Sequence, residues 1–224
     1  MLVELITAAT LSYIAYELGR HRGRQQADDD GEPHRAKLRE FPEFRTAVHE
    51  AGHAVCAWVS PHTTSINSIT INGGGPYNGG QMLYTLTDNG SPTVAWHTLT
   101  VHLGGIAAEL LEFGKVVSKP AKKDLTEAAE AARMIVGHGM PNPPWSEPVV
   151  LPAKYFDVSE MFRSIDSDTN VAAVLNLSLA RAKHVLTEDR ERMLRVADEL
   201  VVRRTLDPVD IRRLFGRRFR WPGR

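Results

Sequence analysis

Residues 47–55 read AVHEAGHAV, an apolar stretch of helical character that carries two histidines and one glutamate. Residues four apart on an α-helix share a face, so His49 and His53 lie about 6 Å apart along the helix axis. Two imidazoles in that arrangement can bind one zinc ion. Glu50 follows His49 around the helix, which places its carboxylate near the open coordination position. The motif therefore predicts a zinc-activated water, with Glu50 as the general base that takes its proton.

The same stretch predicts a helix over residues 46–59, which ends before Ser60 and Pro61. Gly52 lies inside this helix, where glycine costs about 1 kcal/mol relative to alanine. We therefore expect another segment of the chain to approach the helix closely at Gly52.

A catalytic zinc ion needs a third protein ligand and keeps a fourth position open. Cys56 shares a face with the two histidines, but it lies about 10 Å from His49 along the helix axis. That distance is too long for comfortable chelation with both histidines. Cys56 is better explained as a small buried thiol.

Carboxylates further along the chain are the remaining candidates for the third ligand. Glu109 and Glu112 lie on the next helix that the sequence predicts. Asp124 opens the helix after that, and Glu127 follows three residues later, a spacing that is also typical of an N-terminal capping box. From the residues alone, the choice between Glu109 and Asp124 stays open.

The pattern after residue 41 predicts a mainly α domain with a small β element. Loosely alternating apolar residues predict strands at 66–71 and 82–86, joined by a glycine-rich connection. A proline-rich loop is predicted at 141–152. Apolar residues at helical spacing predict further helices, which lie near 99–113, 125–137, 171–185, 194–201 and 208–214.

The composition excludes several classes of protein. Hydrophobic residues make up 42% of the 224 and charged residues 24%, so the chain is not disordered as a whole. The single cysteine excludes an internal disulfide and every cysteine-rich zinc pattern. The 27 Lys+Arg balance the 27 Asp+Glu, and this zero net charge argues against nucleic-acid binding over the whole surface.

Both ends of the chain differ from its centre. Residues 1–24 join an apolar stretch to three arginines and predict a helix that anchors in a membrane or lies on it, with a soluble packing helix as the alternative. Residues 25–40 predict a flexible linker, and 41–215 the main domain. Residues 201–224 hold eight arginines against two aspartates and end in a basic tail at 216–224. A solvated helix end explains this basic end, or contact with an anionic membrane or nucleic acid does.

Several segments together resemble the peptidase domain of the FtsH-type membrane-bound, ATP-dependent zinc metalloproteases. Residues 46–55 are similar to the zinc-binding signature of that family nearly letter for letter. LGGIAAE at 103–109 resembles its Gly-Gly-x-x-Ala-Glu helix. KDL at 123–125, followed by Gly-Met at 139–140, resembles its Asp-Leu helix, and residues 180–215 are similar to its closing helices.

The resemblance implies a helical zinc-metallopeptidase domain with a small β-hairpin or sheet beside the metal site. It implies that Asp124 is the third zinc ligand beside His49 and His53, and that Glu109 has a structural role. It also implies that the hairpin over residues 66–86 offers an edge to which an extended substrate peptide could bind through main-chain hydrogen bonds. A plain surface hairpin is the alternative.

The chain departs from the family in two respects. The family carries an ATPase module before the peptidase domain, whereas residues 1–40 precede it here and no Gly-x-x-x-x-Gly-Lys-[Ser/Thr] motif occurs. We therefore expect no ATP hydrolysis by that means, and a separate ATPase or unfoldase as a partner for stable substrates. The glycine-containing turn usual before the aspartate is replaced by SKPAK at 118–122. Because the family's peptidase domains form rings, a homo-oligomer is a further expectation.

Together these features predict a zinc-dependent endopeptidase that hydrolyses unfolded or loosely folded polypeptides, in the cytoplasm or at the cytoplasmic face of a membrane. The alternative is a non-catalytic module that keeps the fold and either binds peptides or regulates a relative. The retained Glu50 argues against this alternative, because a module that only binds needs no general base.

Overall fold

The computed structural model describes residues 38, 40–72, 79–87, 91–116, 120–139, 142–144 and 168–216. The chain divides into two units, Met1–Phe41 and Pro42–Arg224. In the first unit only residues 38, 40 and 41 are described, and every helix and strand named below belongs to the second.

Several sequence predictions fall wholly or mostly outside the described residues. They are the N-terminal helix at 1–24, the linker at 25–40, the loop at 141–152 and the basic tail at 216–224. These assignments stay predictions, as does membrane contact through the N-terminus. Within the described ranges, no helix is long and apolar enough to cross a membrane.

The described part of the second unit is mainly helical and contains a small antiparallel sheet, which confirms the predicted fold class. The helices bury apolar faces against one another, as helical spacing of apolar residues requires. In chain order the elements are α1 (Phe44–Val59), β1 (Thr63–Thr70), β2 (Gln81–Leu86), α2 (Pro92–His102), α3 (Gly104–Phe113), α4 (Pro120–Gly137), α5 (Thr169–Glu188), α6 (Arg190–Arg203), β3 (Thr205–Leu206) and α7 (Pro208–Phe215).

Helix α1 is surrounded by other elements of this unit. All of its residues from Ala47 to Ala57 are buried, and the helix packs against α2, α3, α5, α6, β1 and β2. A helix without a solvent-facing stripe has to be covered on every side. This position takes both histidines and the glutamate of the AVHEAGHAV stretch into the protein interior.

The sheet has the strand order β2-β1-β3, and both pairings are antiparallel. The first two strands are the predicted ones, whereas β3 was not predicted because two residues cannot display an alternating pattern. Arg204, with a φ of +68°, turns the chain from α6 into β3, and its carbonyl accepts the N–H of Ile71 at 2.9 Å. Among the described residues, β2 pairs on one side and forms an edge of the sheet.

Two sequence predictions about helix ends are wrong. The helix predicted over 99–113 is two helices, since α2 ends at His102 and α3 begins at Gly104. The apolar spacing runs unbroken across this corner, whereas two successive glycines each weaken a continuous helix by about 1 kcal/mol. Asp124 does not open its helix, because α4 begins at Pro120 and Asp124 lies one turn inside it. The capping-box interpretation therefore fails.

Helices α1 and α3 cross in direct backbone contact at Gly52 and Gly104. A Cβ atom added to Gly52 would lie 2.6 Å from the Cβ of Ala108, and one added to Gly104 would lie 2.7 Å from the carbonyl oxygen of Gly52. Real Cβ atoms essentially never approach other atoms so closely. The close approach predicted at Gly52 is therefore confirmed, and α3 is the segment that makes it.

Three arginines near the C-terminal end form ion pairs with carboxylates. The pairs are Arg203–Glu199, Arg203–Asp210, Arg204–Glu43, Arg213–Glu199 and Arg213–Asp210. Acidic groups thus balance much of the described part of this basic end. The hypothesis of an anionic partner now depends on residues 217–224, whose structure is not described.

Replacing Gly52 with alanine should destabilise the domain. Alanine favours a helix by about 1 kcal/mol, but here its methyl group meets the backbone of Gly104, and overpacking of this kind costs about 1–3 kcal/mol or more. We therefore expect a net loss of free energy of unfolding in urea denaturation. The matched control is Gly137→Ala at the end of α4, where a Cβ meets nothing within 4 Å. Equal stability of both variants would contradict the proposed role of the crossing.

Candidate metal centre

Three side chains from two helices meet at one point in the interior. His49 and His53 come from adjacent turns of α1, and their Nε2 atoms lie 3.1 Å apart. Oδ2 of Asp124, on α4, lies 2.8 Å from Nε2 of His49 and 3.4 Å from Nε2 of His53. Among the described residues, these three form the cluster of His, Cys, Asp and Glu ligand atoms that is tight enough to hold a metal ion.

A hydrogen bond at Nδ1 of each imidazole determines which ring nitrogen carries the proton and which one faces the cluster. Nδ1 of His53 lies 2.7 Å from the carbonyl oxygen of Val101, which can only accept, so Nδ1 carries the proton and donates it. Nδ1 of His49 donates to Oε1 of Glu109 at 2.7 Å. With Nδ1 protonated on both rings, Nε2 is the atom that each histidine turns toward Oδ2 of Asp124, and it offers a lone pair to a cation once any proton on it has left.

These three atoms fit a zinc ion. Two imidazole nitrogens and a carboxylate oxygen, with a fourth position left open, form a donor set found in catalytic zinc sites. Ligands at 2.0–2.1 Å from a tetrahedral zinc ion lie about 3.3 Å from one another, and the three separations here run from 2.8 to 3.4 Å. Lone pairs so close repel one another unless a metal cation or a proton lies between them.

The electrostatics of the cluster also favour a cation. Burial lowers the pKa of His49, but hydrogen bonds to Asp124 and Glu109 outweigh it and raise that pKa to about 10. Burial raises the pKa of Asp124, but the two imidazoles more than compensate, so the pKa lies well below its usual range. The site thus stabilises positive charge at the position where the three ligand atoms converge.

Glu50 lies beside this cluster without belonging to it. Its side chain is buried on α1, with 3% of its surface exposed, and it packs against Gly80, the residue before β2. Burial raises the pKa of Glu50, although the nearby histidines lower it in part. A raised pKa suits a carboxylate that has to take up and release a proton near neutral pH.

Glu109 and Gly105, both on α3, hold His49 from two sides. Glu109 is fully buried and accepts from Nδ1, which fixes the tautomer of the ring and its direction. A Cβ on Gly105 would lie 2.5 Å from Nε2 of His49, so only glycine lets the ring lie against this helix. Sequence reasoning weighed Glu109 as a ligand and missed Gly105, although two successive glycines at a helix start were a signal.

The contribution of Val101 was also missed by sequence reasoning. Val101 lies in the last turn of α2, where its carbonyl accepts from the cap N–H of Leu103 and keeps a second lone pair. Its carbonyl is therefore able to accept the proton of His53. No side-chain pattern reveals such a contact, because the backbone provides it and the helix end at His102 was not predicted.

Cys56 lies outside the cluster, as the sequence predicts. It is 1% exposed and packs beside Gly104, where an added Cβ would lie 3.1 Å from its Sγ. Burial raises the pKa of its thiol to about 12. A thiol that stays protonated at neutral pH is a poor metal ligand.

The other two carboxylates that the sequence offers also point elsewhere. Glu112 accepts two hydrogen bonds from Arg190, at 2.7 and 2.8 Å. Glu127 lies 3.3 Å from Nδ1 of His102 and 3.5 Å from Nζ of Lys123. Of the candidates weighed for the third ligand, Asp124 is the one whose oxygen meets both Nε2 atoms.

Known proteins resemble this chain over the same region. It is 30% identical over 186 residues to the ATP-dependent zinc metalloprotease FtsH 3 of Symbiobacterium thermophilum. The match covers 75% of this chain and 29% of that protein. It is 34% identical over 180 residues to FtsH of Methylibium petroleiphilum, covering 72% of this chain and 28% of the relative. The chain is 31% identical over 172 residues to human YME1L1, also an ATP-dependent zinc metalloprotease. This match covers 74% of this chain and 22% of YME1L1.

This chain therefore spans less than a third of the length of these curated relatives. The profile of Peptidase family M41 matches residues 39–214, which include both histidines, Glu50 and Asp124. The resemblance of the sequence motifs to FtsH-type peptidases is thereby confirmed, and the chain belongs to peptidase family M41.

Proposed function

We propose that this chain is a zinc-dependent endopeptidase that hydrolyses peptide bonds in unfolded or loosely folded polypeptides. The observation that carries the proposal is the convergence of Nε2 of His49, Nε2 of His53 and Oδ2 of Asp124 within 3.4 Å of one another. Membership of a peptidase family and the names of the relatives, which are zinc metalloproteases, give further support.

In this proposal His49, His53 and Asp124 hold the zinc ion, and Glu50 is the catalytic base. Zinc, when bound, supplies a Lewis acid for the substrate carbonyl and acidifies the attacking water. Glu50 accepts a proton from that water and delivers it to the leaving amine. Its buried carboxylate, outside the ligand set, is suited to this exchange because burial raises its pKa.

We further propose that substrate binds as an extended strand along β2. This strand is an edge of the sheet in the described part of the chain, and an edge offers unpaired N–H and C=O groups to a peptide. Gly80, directly before the strand, lies against Glu50. A peptide paired with β2 would therefore pass close to the proposed base.

The relatives are named ATP-dependent, whereas residues 1–224 contain no Gly-x-x-x-x-Gly-Lys-[Ser/Thr] motif. We propose that these residues act alone on chains that are already loosely folded, and that a separate ATPase or unfoldase delivers stable substrates. A cytoplasmic location, or one at the cytoplasmic face of a membrane, and a homo-oligomeric state belong to the same proposal.

Replacing Glu50 with glutamine should separate zinc binding from catalysis. The amide keeps the size of the side chain but cannot take a proton, so we expect about one zinc per chain and a loss of cleavage of about 10²–10⁴-fold. Zinc content by metal analysis and digestion of casein by the same preparation measure both. Cleavage at the wild-type rate would exclude Glu50 as the base. Zinc-loaded wild-type protein that binds unfolded chains but cleaves none would favour the non-catalytic module.

Replacing Glu109 with glutamine should weaken zinc binding without unfolding the domain. The variant loses the charged acceptor that fixes His49, and loss of such a partner lowers metal affinity by about 10–100-fold. Competition with a chromophoric chelator measures the affinity. Glu112→Gln is the matched control on the same helix, because Glu112 pairs with Arg190 away from the cluster. Equal zinc affinity of both variants would contradict the role given to Glu109.

A further inference from the structure

The contact between Gly80 and Glu50 is unusually close. A Cβ atom built on Gly80 would have three nearest neighbours, all of them atoms of the Glu50 side chain, and would lie 2.5 Å from Oε1 and 2.6 Å from Cδ. A separation under 3.0 Å forces something to move. Any residue other than glycine at position 80 would therefore displace the carboxylate or the strand.

The backbone conformation does not explain why this position is glycine. Among the described residues, the glycines with positive φ are Gly114, Gly139 and Gly216, and Gly80 is not one of them. An alanine could thus adopt the backbone of Gly80 without torsional strain. The reason for glycine is the side chain of Glu50 that lies against it.

The backbones of Glu50 and Gly80 are both fixed by neighbouring elements. Glu50 projects from α1, which is buried between six other elements, β2 among them. Gly80 directly precedes Gln81, which pairs with Thr70 of β1, and the hydroxyl of Thr70 lies 2.8 Å from that of Thr205 in β3. The sheet and the helix therefore fix the distance between the two backbones, and an added methyl group can be accommodated most readily by rotation of the Glu50 side chain.

We propose that Gly80 is a positioning residue for the general base. Its backbone forms a wall on one side of the Glu50 carboxylate and excludes rotamers that would direct the carboxylate toward β2. This inference rests on the proposed role of Glu50. It also implies that the β2 segment has two roles. Strand β2 would bind the substrate peptide, and Gly80 directly before it would position Glu50.

The first test replaces Gly80 with alanine in the full chain. Displacement of the carboxylate should lower kcat for cleavage of a fluorogenic peptide by about 10–100-fold, since a misplacement of about 1 Å costs that much. KM should change by less than about threefold and zinc affinity should stay at the wild-type value, because the metal ligands are untouched. Gly137→Ala is the control, since its Cβ meets nothing within 4 Å. Unchanged kcat in Gly80→Ala overturns the proposal.

The second test identifies the partner of Gly80 without relying on activity. Gly80→Ala is introduced into the wild type and into Glu50→Ala, and the urea midpoint is measured for all four proteins. The midpoint should fall in the wild-type background and stay level or rise in Glu50→Ala, because that variant lacks the atoms that clash. An equal shift in both backgrounds overturns the proposal. If the wild-type protein cleaves nothing, the proposed function fails, whereas this cycle still tests whether Gly80 holds Glu50.

Discussion

The candidate site depends on the contact between α1 and α3 at Gly52 and Gly104. With no side chain between the two backbones, the helices approach so closely that α3 reaches the face of α1 that carries His49. Glu109 can then accept from Nδ1 of His49, and Gly105 lies against the same ring. A Cβ atom at the crossing would clash with the opposite helix, and moving the helices apart would lengthen the 2.7 Å hydrogen bond between His49 and Glu109. The orientation of the first imidazole is therefore set several residues away from it.

The break between α2 and α3 completes this arrangement. Because α2 ends at His102, the carbonyl of Val101 can accept the Nδ1 proton of His53. Helix α3 begins two residues later and brings Glu109 within hydrogen-bond distance of Nδ1 of His49. One corner of the chain thus fixes the tautomers of both histidines. The resulting cluster directs two nitrogen lone pairs and a carboxylate at one point, and their repulsion has to be offset by a bound cation or a proton. Metal binding and the stability of this region should therefore be linked.

The sequence was most informative where one element carries the whole signal. The spacing of His49 and His53 on a single helix predicts their shared face, and in the structure their Nε2 atoms lie 3.1 Å apart. The candidate for a third ligand could not be derived in this way. Glu109 and Asp124 lie 60 and 75 residues from His49, and the packing of α3 and α4 decides which side of the ring each one meets. The family resemblance pointed to Asp124, which lies on the side of Nε2.

Glycines show why the remaining features were hidden in the sequence. Gly114 is required by its φ of +68°, which a helix end explains. Gly52, Gly105 and Gly80 instead make room for a neighbour, and a sequence does not say which segment will come close. In this domain these neighbours are another helix, the ring of His49 and the carboxylate of Glu50. The side chains of His49 and Glu50 are thus packed against backbone atoms, which are less free to move than a neighbouring side chain would be. A site built in this way is preorganised by backbone packing, which is the condition for electrostatic catalysis without reorganisation during reaction.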